Sequence, residues 1–166
     1  PKFMSQEDIL IVNPIDDVVT CTPSHSIRSA AQYMQQRRVG SIVVIDQDRK
    51  PIGIVTDTDL ARKVVANNIS KTLPVKEIMS SPVYTIEPNA TISQYIVRMI
   101  RYKVKHLVVT EDGTPETALL GVASEHDILL MHGNDPAVLV KRLLKARSVA
   151  ELSLIHISEP TRPSQI

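Results

Sequence analysis

The sequence contains no tryptophan, one phenylalanine, one cysteine and only five glycines, and each scarcity removes a class of protein. Without aromatic bulk, the core must be filled by Val, Ile and Leu, and an apolar content of 43% is enough for that. A lone Cys21 excludes an intrachain disulfide and a thiolate metal cluster, and it suits a reducing, cytoplasmic compartment. Cys21 lies in a Thr-Cys-Thr-Pro strand end with no obvious base, so it reads as a buried free thiol rather than a nucleophile. No run approaches the ~18 apolar residues of a membrane-spanning helix, and the N-terminus lacks a signal-peptide pattern. Charge of one sign is lacking too: 19 basic and 18 acidic residues leave +1, no basis for binding DNA, RNA or an anionic membrane. Any charged ligand must be met locally. Also missing are a nucleophile–base pair, an H-E-x-x-H helix, a metal cluster and a G-x-x-x-x-G-K phosphate loop, so no catalytic residue is expected. At 166 residues the chain suffices for one ordinary domain or for two small halves that share a core.

The two ends are read separately. Residue 1 is Pro, so either Met4 is the true start or the chain begins within a longer protein. Residues 152–162, LSLIHISEPTR, match the translation of a transposon-end adapter used to prepare sequencing libraries, and Pro163, Ser164, Gln165 and Ile166 fit the index and continuation that follow it. Segment 152–166 is therefore expected to be non-native, with no role for His156 or Glu159, and the natural chain is expected to continue past Glu151.

What is present is one unit, twice. PSHSIRSAAQYM begins at Pro23 and PNATISQYIVRM at Pro88, a spacing of 65 residues. Ile27, Ala30, Ala31 and Met34 fall at i, i+3, i+4 and i+7, as do Ile92, Tyr95, Ile96 and Met99, which predicts two amphipathic helices. Ser24 and Asn89 are expected at or near the N-caps. After each helix comes a basic turn and a β-branched run, RRVGSIVVID and YKVKHLVVTE, which predict buried strands. Turn residues DQDRKP and EDGTPETA then lead to second strands at IGIV and LGVA. Each copy thus reads β-α-β-β-α, giving an α/β chain of α+β type. Expected segments are 1–12 as an N-terminal piece, 13–67 and 75–131 as the repeats, 68–74 as linker and 132–151 as a terminal helix.

Both second strands end in hydroxyls and acids: GIVTDTDL at 53–60 and GVASEHDI at 121–128. One account is structural, since Thr56-x-x-Asp59 and Ser124-x-x-Asp127 have capping-box spacing. The other is functional. A strand end opening into a helix offers amides to anionic oxygens, and an ionised Asp can accept both hydroxyls of a ribose. Gly53 and Gly121 favour the second account, because glycine permits close approach of the backbone to something and a cap does not require it.

On PVYTIEPNATI, RRVGSIVVIDQDRKPIGIVTDTDL, YKVKHLVVTEDG and LLGVASEHDI, the chain resembles a tandem pair of cystathionine-β-synthase (CBS) domains, the Bateman module, over about residues 13–131. The resemblance implies two repeats related by a pseudo-twofold axis. It also implies a regulatory sensor that takes AMP, ADP or ATP, or S-adenosylmethionine, in clefts between the repeats, often as a homodimer. Asp59 and Asp127 would hold ribose, with Thr56, Thr58 and Ser124 helping on ribose or phosphate. Lys105 and His106 stand where the family often places a basic pair facing phosphates, while the first copy has Gly40 and Ser41 there. His126 takes the position of Thr58 and would crowd or modify the second site. The Asp127 cleft is accordingly ranked above the Asp59 cleft as a phosphate binder. A satisfied core or hairpin histidine is the competing account of His106. Arg37, Arg38, Arg101 and Lys103 read as helix-end charges.

Residues 134–152, NDPAVLVKRLLKARSVAEL, carry the pattern D-P-x-x-L-x-x-x-L-x-x-A-x-S-V-x-x-L, beginning at Asp135. It is similar to bacterial signalling proteins in which a CBS pair precedes a nucleotidyltransferase domain and often follows a cyclic-nucleotide-binding domain. The rival expectation is a ligand-independent dimerisation or interaction module.

Overall fold

The structure is a computed structural model and describes residues 18–127. The expected segments 1–12 and 132–151, the 152–166 tail and the last helix of the second repeat beyond Asp127 lie outside the described residues. Along the described chain run β1 (Thr20–Cys21), α1 (Ile27–Arg37), β2 (Ser41–Ile45), β3 (Pro51–Thr56) and α2 (Asp57–Asp59). A π-helical stretch, Leu60–Val65, continues from α2, and a 3-10 turn follows at Val75–Glu77. The second copy supplies β4 (Thr85–Ile86), α3 (Ile92–Tyr102), β5 (His106–Thr110) and β6 (Leu119–Ser124), with residues 125–127 again helical. These elements form two three-stranded sheets, β1-β2-β3 and β4-β5-β6, the mixed α+β fold expected. In each, a two-residue strand pairs in parallel with the strand after the helix, Thr20 with Val43 and Thr85 with Val108. Parallel neighbours need such a crossover.

The helices start and stop alike. Ser26 caps α1 by accepting from the Ser29 amide, and Thr91 caps α3 in a capping box with Gln94. Each cap thus falls two residues after Ser24 and Asn89. In the first copy the intervening residues form a turn, with the His25 amide donating to the Thr22 carbonyl at 3.2 Å. Arg38 and Lys103 close the two helices in the left-handed conformation, at φ 53° and 54°. Ile27, Ala30 and Met34 are buried on α1, and Ile92, Tyr95 and Ile96 on α3. The linker is pinned: Leu73 and Lys71 carbonyls accept from the Ile27 and Arg28 amides at 2.9 Å, satisfying donors that a helix start leaves open.

The described residues divide into two compact units, 18–88 with 107–123, and 89–106 with 124–127. The larger unit contains strands of both copies, and β2 shows why. Ile42 and Val44 point into a cluster with Cys21, Ile27, Ala30, Met34 and Val55, whereas Val43 joins Val83, Val108 and Leu119. Successive side chains of a strand alternate faces, so the uninterrupted run SIVVI is apolar because both of its faces are covered.

Gly53 corrects one expectation. A Cβ there would lie 2.3 Å from Met79 Sδ and 2.8 Å from Met79 Cγ. The neighbour that requires glycine in this strand is a methionine of the protein itself, not a ligand. Met79 is brought there because Ile54 and Ser80 exchange two backbone hydrogen bonds, 3.1 and 2.9 Å long.

Candidate functional site

In the first copy, antiparallel pairing of β2 and β3 places Ser41 opposite Thr56. The chain then turns: the Asp57 amide donates to the Gly40 carbonyl at 3.1 Å, which gathers Gly40, Ser41, Thr56 and Asp59 at one strand end. Thr56 and Asp59 form a full capping box. Asp59 Oδ2 accepts from the Thr56 amide at 2.9 Å and from the Thr56 hydroxyl at 3.1 Å, and the Asp59 amide donates to that hydroxyl at 3.1 Å. Thr58 is exposed, its amide donating to Asp57 Oδ1 at 2.7 Å.

Asp59 Oδ1 is held by a residue the sequence reading did not single out. Lys63 Nζ lies 3.1 Å from it, and the same ammonium donates to the Ile78 carbonyl at 2.9 Å and to Ser80 Oγ at 3.1 Å. The Asp59 side chain is 15% exposed, so this is a partly sheltered pair. Its i,i+4 spacing was the available signal, although spacing alone promises only ~0.2–0.5 kcal/mol. The two additional acceptors lie 15 and 17 residues away in sequence and have no local signature.

The second copy repeats the turn. The Glu125 amide donates to the Lys105 carbonyl at 2.9 Å, the counterpart of the Asp57–Gly40 bond, and it brings Lys105 and His106 to the residues that follow β6. Ser124 and Asp127 are joined as Thr56 and Asp59 are: the Ser124 amide donates to Asp127 Oδ2 at 3.2 Å and the Asp127 amide to Ser124 Oγ at 3.1 Å. Lys105 and His126 are exposed, and His106 is half-buried as the first residue of β5. Tyr95 was expected only as an apolar-face residue, yet its hydroxyl donates to the Lys105 carbonyl at 3.4 Å. Burial first, then the Asp127 and Glu125 carboxylates, raise the pKa of the Tyr95 phenol and keep it neutral. A neutral phenol can brace Lys105 by donation.

Elsewhere, burial pushes the Cys21 thiol up to about 11, which removes the thiolate a nucleophile needs. Among the described residues no helix is long and apolar enough to cross a membrane, and no group of three His, Cys, Asp or Glu could hold a metal ion.

Two strand ends of one design, each with a hydroxyl–acid turn bonded back to the preceding strand, describe a duplicated domain. A family profile described as CBS domain matches residues 7–66 and 75–131. The chain belongs to the CBS-domain family, as a tandem pair. Among relatives, an uncharacterized protein of Methanopyrus kandleri is 30% identical over 114 residues, 68% of this chain and 57% of that protein. This CBS pair therefore spans little more than half of that relative's length. A crystal structure of an uncharacterized conserved protein from Pyrococcus horikoshii superposes with a TM-score of 0.67 at 26% identity, covering 77% of this chain and 94% of that one. A CBS domain protein from Pyrobaculum aerophilum, solved in complex with AMP, gives a TM-score of 0.64 at 25% identity, covering 81% and 95%.

Proposed function

We propose that this CBS pair is a non-catalytic regulatory module that senses adenine nucleotides, AMP, ADP or ATP, and passes their occupancy to an attached or partner effector domain. The observation that carries the proposal is the second strand end. There Asp127, half-buried, heads a helical turn bonded to Ser124, and the Glu125 amide of that turn donates to the Lys105 carbonyl in the segment that also carries His106. A carboxylate suits the two hydroxyls of a ribose, and a lysine with an imidazole suits phosphate. The AMP complex of the Pyrobaculum aerophilum relative supports the same ligand class. The ligand can drive an output only by binding one arrangement of the protein better than another.

Calorimetry on the full chain with AMP, ADP, ATP and S-adenosylmethionine tests the proposal. Heat with at least one nucleotide, lost in Asp127→Ala and weakened in Lys105→Ala, is expected. Absence of heat with all four ligands would defeat it.

A second reading, a ligand-independent interaction module, is favoured by the capping role of both acids. Under it, Asp127→Ala lowers stability by about 1 kcal/mol and leaves any nucleotide binding intact. Ultracentrifugation with and without AMP would then show a homodimer indifferent to ligand. The parent protein, on our reading, is cytoplasmic and joins the pair to a downstream nucleotidyltransferase-like domain and an upstream cyclic-nucleotide-binding domain. Reading the gene beyond Glu151 checks that assignment.

A further inference from the structure

The two copies differ at the start of their second strands. Gly53 and Gly121 are equivalent in the repeat, so Pro51 stands where the second copy has Leu119. The Leu119 amide donates to the Arg49 carbonyl at 3.1 Å and ties the first hairpin turn to β6. Proline has no N–H, so no matching bond can run from Pro51 to the second hairpin. That hairpin is also longer, with residues 111–118 between its strands against 46–50 in the first. It folds onto itself: Asp112 Oδ1 accepts from the Thr114 amide and hydroxyl, both at 2.8 Å, and from the Thr117 hydroxyl at 2.7 Å. Between the two turns, within the larger compact unit, lies an open cleft of about 280 Å³, lined among others by Asp46, Lys50, Pro51, Val83, Pro115 and Glu116.

The lining combines apolar surface with unmatched charge. Pro51 and Val83 are buried and Pro115 is half-buried. Lys50, half-buried, and Glu116, exposed, are opposite in sign, yet among the described residues neither side chain has a hydrogen-bond or ion-pair partner. A half-buried ammonium without an acceptor gains from a carboxylate that reaches it. Asp46 adds a second acid, with Oδ1 accepting from the Asp48 and Lys50 amides at 2.9 Å. A phosphate ester suits this lining poorly, since one cation stands against two acids. A ligand that matches it carries a carboxylate and an ammonium a few bonds apart on an apolar body. The volume agrees, because drug-sized ligands take sites of about 300–1,000 Å³ and a single amino acid is smaller. Nor is this the strand-end site: Pro51 and Thr56 are the two ends of β3, roughly 17 Å apart at ~3.3 Å per residue.

We propose that the cleft between the hairpin turns is a second ligand site, which takes a free α-amino acid with an aliphatic side chain. The ligand carboxylate meets Lys50, its ammonium meets Glu116, and its side chain lies against Pro51 and Val83. The site does not depend on the nucleotide-sensing reading.

Calorimetry on the full chain with L-valine, L-leucine, L-isoleucine and L-methionine tests it. At least one is expected to bind. Its N-acetyl form, which lacks the ammonium, and its amide, which lacks the carboxylate, should each bind at least about tenfold more weakly. Lys50→Met and Glu116→Gln should weaken the unmodified amino acid by a similar factor. Glu116→Gln should leave the already weakened N-acetyl form unchanged, a pattern that general unfolding would not reproduce. The proposal is overturned if none of the four binds at about 10 mM, if binding tolerates removal of either ligand charge, or if either folded variant binds as the wild type does. Should a variant fail to fold, the analogue series on the wild type still decides the matter.

Discussion

Replacing Gly53 by alanine separates a glycine kept for the protein's own packing from one kept for a ligand. The added Cβ would sit 2.3 Å from Met79 Sδ, 2.8 Å from Cγ and 3.1 Å from Cβ, against ordinary carbon contacts of about 3.5–4.0 Å. The sulfur end can rotate away. The Met79 Cβ can move only with its backbone, and that backbone is held by the two Ile54–Ser80 hydrogen bonds and by Lys63 on Ile78 and Ser80. Overpacking of this kind costs about 1–3 kcal/mol. Alanine in a strand interior recovers about 0.5–1 kcal/mol of glycine's backbone entropy. A net loss of about 1–2 kcal/mol remains, which for a chain of this size lowers Tm by roughly 2–8 °C. Urea denaturation of the wild type, Gly53→Ala, Met79→Ala and the double variant measures it, and the coupling between the two sites should account for most of the loss. An unchanged midpoint for Gly53→Ala, or additive single variants, would refute the packing account. Full stability with loss of AMP binding would restore the ligand account.

Three further outcomes are expected. Arg38→Gly and Lys103→Gly relieve the left-handed conformation at the two helix ends and should each stabilise the protein by about 1 kcal/mol in thermal denaturation; destabilisation by both would show that their side chains matter more than their backbones. The Cys21 thiol, raised from 9.0 to about 11 by burial, is neutral in the folded chain and ionises more easily in the unfolded one. Its contribution to stability is therefore intact below pH 9.0 and lost as pH rises through about 11, and alkylation of the folded protein should stay slow until that range. A labelling midpoint near 9 under native conditions would contradict this. Asp112 is held below the usual carboxylate range by the Thr117 hydroxyl first and by Thr114 second. In Thr117→Val an NMR titration should find it shifted upward, and an unmoved titration would show that the bond does not form in solution.

Much of the candidate site was legible because its information is local. The hydroxyl–x–x–acid spacing at Thr56 and Ser124 sets a capping box within four consecutive residues, and the structure shows both turns. The hairpins were legible from their turn residues, whereas the bonds of Asp57 to Gly40 and of Glu125 to Lys105 came only with the structure. The role of Gly53 was misread because a glycine in a strand signals only that something comes close. Its neighbour Met79 is 26 positions away, so only the chain path could name it.

By itself the sequence determined the duplication, the β-α-β-β order of each copy, the buried face of α1 and of α3 and the acid at each strand end. All of these are periodicities or spacings that one element can satisfy alone. The tertiary structure decided that strands of both copies share one core through Val43, Val83, Val108 and Leu119. It also decided that Lys63 binds Asp59 together with Ile78 and Ser80. Such contacts join segments that are distant along the chain, and their strength depends on burial and on several partners meeting at one atom. No local pattern encodes either condition.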